Sequence, residues 1–388
     1  MLLTFLVAYA AALIATPLAI RVARRTGFLD RPVGYKGHGR PTPYLGGSAV
    51  LVGFLAGGFF QGALANRLVP LLACAVLIWI VGTVDDAVPL RPWVRVLAEA
   101  GAATLLWMGD LGWSLFPEAP VLDLLVTIVW IVAVVNAFNL MDNQDGAATT
   151  VAAVSAGGIA LLSLDSGTEA LTALAVSLCG ACVGFLHFNL TRPARIFLGD
   201  GGSMLLGFLV ALLAMRTTEA SGTEGIEILP AILLVGLPLL DMALVMVSRT
   251  RRGLSVVTGG RDHTTHRLLR MLGSPRWVAL ALALAQAALC AAAIGLLGWD
   301  REAMIAGVVA SLLLGALTIA ILELPMFSSE RAAGVDSRSA LAPGGSGYSP
   351  PSSSGADHEE TRTGRSTSTP WSDGATSGRS APSTKLGP

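Results

Sequence analysis

Asn136, Asn139, Asp142 and Asp145 follow one another at three-residue steps where a long apolar run ends, in the stretch Asn136-Ala-Phe-Asn139-Leu-Met-Asp142-Asn-Gln-Asp145-Gly146. Amide oxygens and carboxylates are hard donors, suited to Mg2+ and to the edges of a nucleobase. Neighbours three apart share a slowly rotating face wherever the helix persists. A charged side chain at mid-membrane costs about 2.5 to 3.5 kcal/mol on insertion scales, so groups like these beside an apolar span line a polar pocket at its mouth.

Four other segments carry chemistry-bearing residues. Gly82-Thr-Val-Asp85-Asp86 ends an apolar run and is followed by Leu90, Pro92 and Arg95. Adjacent carboxylates repel, and a helix C-terminus is the negative end of the dipole, so a metal or cation partner would offset the cost. Asn189 precedes Arg192-Pro-Ala-Arg195-Ile-Phe197-Leu-Gly199-Asp200-Gly-Gly-Ser203, a glycine-rich turn that opens another span. Such a turn offers free backbone N–H groups and a positive dipole end to a phosphate, and Asp200 could hold a bridging cation. Asp200 or Ser203 would also serve as a plain N-cap, and the two readings are compatible.

The loop from Asp30 to Gly47 holds Lys36 and His38, candidates for phosphate or base contacts in what is otherwise a basic tether with turn residues. Arg261-Asp262-His263-Thr-Thr-His266-Arg267 follows Arg249, Arg251 and Arg252. Two histidines three apart could ligate zinc, but with no third ligand in sight the segment reads as a set of phosphate donors. Asp241, three residues after Pro238 inside an apolar run, either faces the interior or accepts from a backbone group freed at a kink. Its role stays open at this level.

The elements that must position these residues are membrane helices. Of 388 residues, 53% are hydrophobic and 13% charged, and the apolar residues come in runs of about 20, the length that crosses a hydrocarbon core. The chain reads as an all-α, polytopic membrane protein with eleven spans, near 2–20, 45–64, 69–84, 93–109, 121–138, 147–163, 170–189, 203–216, 228–248, 277–297 and 303–324. Loops after odd-numbered spans hold seventeen Lys and Arg against three elsewhere, which puts the N-terminus outside and the C-terminus in the cytoplasm. The first span lacks a charged n-region and an Ala-x-Ala site, so it reads as retained rather than cleaved. Residues 1–326 form the transmembrane catalytic region. Residues 327–388, rich in Ser, Gly, Thr and Pro, read as a disordered cytoplasmic tail.

Cys74, Cys179, Cys182 and Cys290 all lie in spans and read as small apolar residues without a disulfide or zinc signal. The span pattern shows no repeat of the inverted-repeat transporter kind. All five polar segments fall on the cytoplasmic side of this topology, and their convergence is the argument for catalysis over transport.

In this order and topology the segments resemble the polyprenyl-phosphate N-acetylhexosamine-1-phosphate transferase family over about residues 20 to 275. The resemblance rests on Asp85-Asp86, on Asn136-Ala-Phe-Asn139-Leu-x-Asp142-x-x-Asp145-Gly146, and on Pro193-Ala-Arg195-Ile-Phe197-x-Gly199-Asp200-x-Gly202-Ser203. Pro238-x-x-Asp241 and the histidine segment strengthen it. It implies catalytic roles for Asp85, Asp86, Asp200 and His263, with Mg2+ on Asp200 and Asn139 and Mn2+ as a substitute. It further implies substrate contacts from Lys36, His38, Arg95, Asn136, Asn139, Asp142, Asp145, Arg195, Phe197, Arg261 and His266. Phe197, Asp142 and Asp145 would lie near uracil, and Arg95, Arg261 and the histidines near phosphates.

The chain departs from the family pattern at Asn143-Gln144, where Gly-Leu is usual, at Arg95, where Lys is usual, and at His263-Thr-Thr-His266, where His-x-His-His or a histidine triplet is usual. The absent triplet and the eleventh span favour the GlcNAc-1-phosphate branch over the phospho-MurNAc-pentapeptide transferase, the first alternative; a membrane transporter is the alternative of another class. The implied partners are a UDP-N-acetylhexosamine, most simply UDP-GlcNAc, and a polyprenyl phosphate in the plasma membrane. A homodimer is compatible with this reading, and no nucleic acid is expected.

Overall fold

Apolar runs punctuated by proline and glycine set where the helices begin and end. Pro92, Pro120 and Pro275 open three helices at their first positions, where a missing N–H costs nothing, and Gly27 and Gly273 close two others in the left-handed conformation. The computed structural model describes residues 1–30, 41–63, 69–221, 226–255, 260 and 262–324. In chain order they form α1 (Leu2–Thr26), β1 (Leu29–Asp30), β2 (Thr42–Pro43), α2 (Gly46–Phe60), α3 (Val69–Ala87), α4 (Pro92–Met108), α5 (Pro120–Met141), α6 (Ala147–Asp165), α7 (Glu169–Asn189), α8 (Asp200–Ala220), α9 (Ile228–Leu234), α10 (Gly236–Arg251), α11 (Thr264–Leu272), α12 (Pro275–Leu296) and α13 (Arg301–Leu322).

This is an all-α, multi-pass membrane architecture, relieved by one two-residue antiparallel ladder that pairs Leu29 with Pro43. The span count falls short of eleven. Among the described residues eight helices are long and apolar enough to cross a bilayer, or nine if α9 and α10, which meet at an 80° bend, are counted as one broken span. The bend falls beside Gly236 and Pro238, residues that interrupt a helical hydrogen-bond ladder. α2 has 15 residues and α4 has 17, so each is helical but shorter than a full hydrocarbon thickness requires. The expected tail, Lys36, His38 and Arg261 lie outside the described residues.

α8 is the axis of the bundle, with 94% of its span window buried against α2, α3, α5 and α6. Close approach there depends on small residues, since lipid tails give apolar faces little reason to associate. A Cβ at Gly47 would stand 2.5 Å from the backbone nitrogen of Gly202, and one at Gly82 would stand 2.6 Å from the carbonyl carbon of Asp200. The same contacts that tighten the core therefore bring the ends of α2 and α3 onto the start of α8, where the polar residues cluster.

Candidate active site

α8 begins without a side-chain cap of its own. Its N-cap is Gly199, at φ 76° and ψ 167°, a backbone conformation open to glycine and strained for other residues. The Gly202 and Ser203 N–H groups bond to the Gly199 carbonyl, and the first two N–H groups of the helix are satisfied from another helix. Asp86, near the end of α3, accepts from the Asp200 N–H at 2.9 Å through Oδ1 and from the Gly201 N–H at 3.1 Å through Oδ2. A carboxylate at the positive end of the helix dipole is favourable, and charge-assisted bonds to backbone N–H groups are among the stronger ones. Neither Asp200 nor Ser203 acts as the N-cap, because Asp86 takes that part.

The neighbouring Asp85 is held just as firmly. Its Oδ1 accepts from the Leu90 N–H at 2.5 Å, and its Oδ2 receives Arg95 NH1 at 2.7 Å. The same guanidinium nitrogen stands 3.8 Å from Asp200 Oδ2, and the Asp85 and Asp200 carboxylates lie within hydrogen-bonding reach of each other. Asn139, on the last turns of α5, donates from Nδ2 to Asp200 Oδ1 at 2.9 Å and to Ser203 Oγ at 3.0 Å. Side chains from α3, α4, α5 and α8 thus surround one point at the mouth of the bundle.

α5 ends at Met141, so the four residues spaced by three do not share a helix face to the end. Asp142 is the C-cap, and Asp145 lies in the turn that Gly146 closes at φ 76°. Burial pushes the Asp142 carboxyl well above the usual carboxylate range, and the negative charges of Asp200, Asp86 and Asp145 push it further the same way. The turn is anchored by Asn189, which accepts from the Gly146 N–H at 2.6 Å and donates to the Ile196 carbonyl at 2.9 Å. Asn136 points elsewhere: its amide donates to Glu99 Oε2 at 2.6 Å and to the Val132 carbonyl.

Phe197 bonds by its backbone to Pro43 and Gly46, and its ring lies 6.3 Å from that of Tyr44. Tyr44 in turn hydrogen-bonds Asp30, and burial followed by that bond raises its phenol above its ordinary value. Arg195 is exposed, its backbone N–H bonded to the Phe188 carbonyl at 3.2 Å.

The basic histidine segment is largely neutralised from within, contrary to its reading as a row of phosphate donors. Asp262 receives Arg249 at 3.1 Å and Arg252 at 2.8 Å. Burial would raise its carboxyl, but those two guanidiniums outweigh burial and hold it below the ordinary value. Arg267, almost wholly buried, pairs with Glu323 at 2.7 Å and donates to the Leu322 carbonyl, which ties the end of α13 to α11. His263 is buried, with Nδ1 2.8 Å from Asp241 Oδ2, while Asp241 Oδ1 accepts from the Thr264 N–H at 2.7 Å. The His266 ring lies 6.0 Å away. Thr265 donates to the side-chain oxygen of Asn143, joining α11 to the turn that carries Asp142 and Asp145.

Glu99, the anchoring part played by Asn189 and the pairing of Asp241 with His263 were missed from sequence. A glutamate inside an apolar run at 93–109 was the available signal for Glu99, because ionisable groups in spans are rare and almost always paired. As a cation site the mouth is open rather than caged. Among the described residues no three His, Cys, Asp or Glu are arranged to hold a metal. Mg2+, however, is commonly bound by one or two carboxylates with substrate phosphates completing its shell, and the adjoining Asp85 and Asp200 oxygens suit that mode. Arg95 supplies the positive charge there in their present arrangement.

Comparison with known proteins identifies the family. A sequence model described as glycosyl transferase family 4 matches residues 68–218, the stretch from α3 through most of α8. A probable undecaprenyl-phosphate N-acetylglucosaminyl 1-phosphate transferase of Bacillus subtilis is 29% identical over 282 residues, covering 68% of this chain and 76% of that protein. Undecaprenyl-phosphate alpha-N-acetylglucosaminyl 1-phosphate transferases of Yersinia pestis and Escherichia coli K12 are 30% and 29% identical over 297 residues, each covering 72% of this chain, with 80% and 78% of their own lengths matched. With 30% identity over 72% of the chain to the Yersinia pestis enzyme and a family match from α3 through most of α8, the chain is an enzyme of glycosyl transferase family 4, on the branch that carries these N-acetylglucosaminyl 1-phosphate transferases.

Proposed function

We propose that this chain transfers N-acetylglucosamine 1-phosphate from UDP-GlcNAc to polyprenyl phosphate, giving a polyprenyl-diphosphate sugar and UMP. The names of its relatives support the transferred group and the lipid acceptor. The observation that carries the reading for this chain is the meeting of Asp85, Arg95, Asn139 and Asp200 where α8 opens. We place that mouth in the cytoplasm, where the nucleotide sugar arrives from water while the lipid phosphate slides in between helices. The bias of Lys and Arg toward loops on that side supports the orientation.

In the reaction a phosphate oxygen of the lipid attacks the sugar-bearing phosphorus, and the bond from that phosphorus to the bridging oxygen breaks to release UMP. Bringing a dianion up to a diphosphate is the main obstacle, and positioned positive charge is the usual answer. Arg95 provides it, fixed by Asp85 and facing Asp200. Asp86 secures the N-terminus of α8, so the positive dipole end and the glycine-rich turn stay aimed at the anions. Asn139 orients Asp200 by its amide. Asp85 and Asp200 would hold a Mg2+ ion, which would supply charge neutralisation of the phosphates.

A general base has little left to do. The second pKa of a phosphate monoester is about 6, so roughly nine in ten acceptors are already dianionic at pH 7, and supplying the rest gains about tenfold at most. Asp86 is also poorly placed for that work, since both its oxygens already accept backbone N–H groups.

The test is to incubate membranes holding the protein with radiolabelled UDP-GlcNAc, Mg2+ and undecaprenyl phosphate. Label should pass into the organic phase in step with UMP release, and EDTA should stop both. Label that enters lipid from UDP-MurNAc-pentapeptide instead would move the chain to the other branch. No lipid label with any nucleotide sugar would end the transferase reading.

A further inference from the structure

Asp241 belongs to none of the groups that converge on the mouth of α8, yet it is a carboxylate with no solvent exposure inside a membrane bundle. It lies on α10, five residues past Gly236 at the bend with α9, and both its oxygens reach across to the N-terminus of α11. One oxygen caps the Thr264 N–H and the other meets His263 Nδ1. We propose that Asp241 is a positioning residue that fixes the tautomer of His263, deciding which ring nitrogen is offered to the diphosphate. The proposal rests on the transferase reading for its consequence, though not for its geometry.

An ionised carboxylate only accepts hydrogen bonds, so the proton of the His263 ring must sit on Nδ1. Nε2 is then a bare lone pair in the neutral ring and carries a proton only in the imidazolium. The neutral ring therefore offers Nε2 as an acceptor, and only a ring carrying both protons could donate to a phosphate from it. The start of α11, which carries the ring, is tied to the proposed site, because the next residue but one, Thr265, is bonded to Asn143 in the turn that bears Asp142 and Asp145. Among the described residues, Asp262 pairs with Arg249 and Arg252, and Arg267 with Glu323. Asp241 is the acid that meets the ring directly, at 2.8 Å.

Replacing Asp241 by asparagine separates this role from simple capping. The amide oxygen can still accept from Thr264, so the helix start is kept, but the amide nitrogen now donates to Nδ1 and drives the proton to Nε2. A carboxylate-to-amide exchange behind a histidine is known to act in this way in serine proteases.

The experiment uses the full-length protein in detergent or nanodiscs, with 15N-labelled histidine and with transfer activity measured alongside. Wild-type His263, identified by its loss in H263A, should show a protonated Nδ1, and in D241N the proton should move to Nε2. Activity of D241N should fall about 10- to 100-fold, mostly in kcat, whereas D241N added to H263A should cost less than about twofold more. Asp241→Glu, which keeps two acceptor oxygens, should retain the wild-type tautomer and recover activity relative to D241N. A wild-type ring protonated on Nε2 and bare at Nδ1 would overturn the proposal without recourse to any variant. So would equal losses from D241N in the presence and absence of His263. If the wild type moves no sugar phosphate while Nδ1 is protonated as expected, the functional reading fails and the placement by Asp241 stands.

Discussion

α8 and α13 are both long enough to cross a membrane, and they sit at opposite extremes of it. α13 is the most apolar of the eight candidate spans, yet only 6% of its window is buried; α8 is the least apolar and is 94% buried. In a soluble protein that ordering would be perverse. In a bilayer it follows from the solvent, because lipid accepts Leu312, Leu313 and Leu314 as readily as a core would, while a polar group must find a protein partner. α8 opens with Asp200 and Gly201, whose N–H groups are taken by Asp86 of another helix, whereas the end of α13 is fastened where Glu323 meets Arg267. Hydropathy identifies what lipid touches, and the shortage of it identifies where function sits.

The sharpest way to break this contrast is at the start of α8. Asp200→Asn should reduce transfer by about 10²- to 10³-fold without unfolding the protein, the scale of losing one preorganised electrostatic group, and should weaken the dependence on Mg2+. Full activity with unaltered Mg2+ dependence would remove Asp200 from the centre of the site. Next in size is Gly82→Ala, whose added carbon would meet the Asp200 carbonyl carbon at 2.6 Å and Gly201 Cα at 2.7 Å. Overpacking of that kind costs about 1 to 3 kcal/mol, to be read as a lowered thermal midpoint together with reduced turnover.

Asp142→Asn tests the electrostatics of the same mouth. The native carboxyl is raised above its unfolded value, so its ionised form opposes folding at pH above the folded pKa, and that cost disappears as pH falls through it. The variant should therefore raise the thermal midpoint of metal-free protein at pH 8 while lowering transfer, and the gain should shrink toward pH 4. A gain that grows on acidification would contradict the assigned direction. Smallest of all, Leu313→Ala on α13 should change stability by less than about 0.5 kcal/mol and leave transfer untouched, since the side chain is 65% exposed to what would be lipid. A marked loss would mean that α13 has a protein neighbour.

The helices themselves were legible in the chain, because apolar runs closed by Pro and Gly read the same way at every level. Each expected span coincides with a helix, though two are short and one is broken. Asp85, Asp86, Asn139 and Asp200 were also legible as chemistry-bearing groups, since carboxylates and amides at the edge of an apolar run have no packing explanation. What their types could not convey was division of labour. Asp85 and Asp86 are adjacent and chemically identical, yet one holds Arg95 and the other caps α8. Asn136 and Asn139 share a motif, yet the first turns to Glu99 and the second to Asp200. The arginines around Asp262 looked like open donors and are internal pairs.

Composition and spacing alone determined that this chain lies in a membrane as helices with a polar mouth, because the cost of dehydrating a backbone or a charge depends on residue type and run length. Which carboxylate meets which partner was decided only in three dimensions. Those partners are separated by up to 115 residues, as Asp86 and Gly201 are, and nothing local to either end specifies the approach of helices that brings them within 3.1 Å.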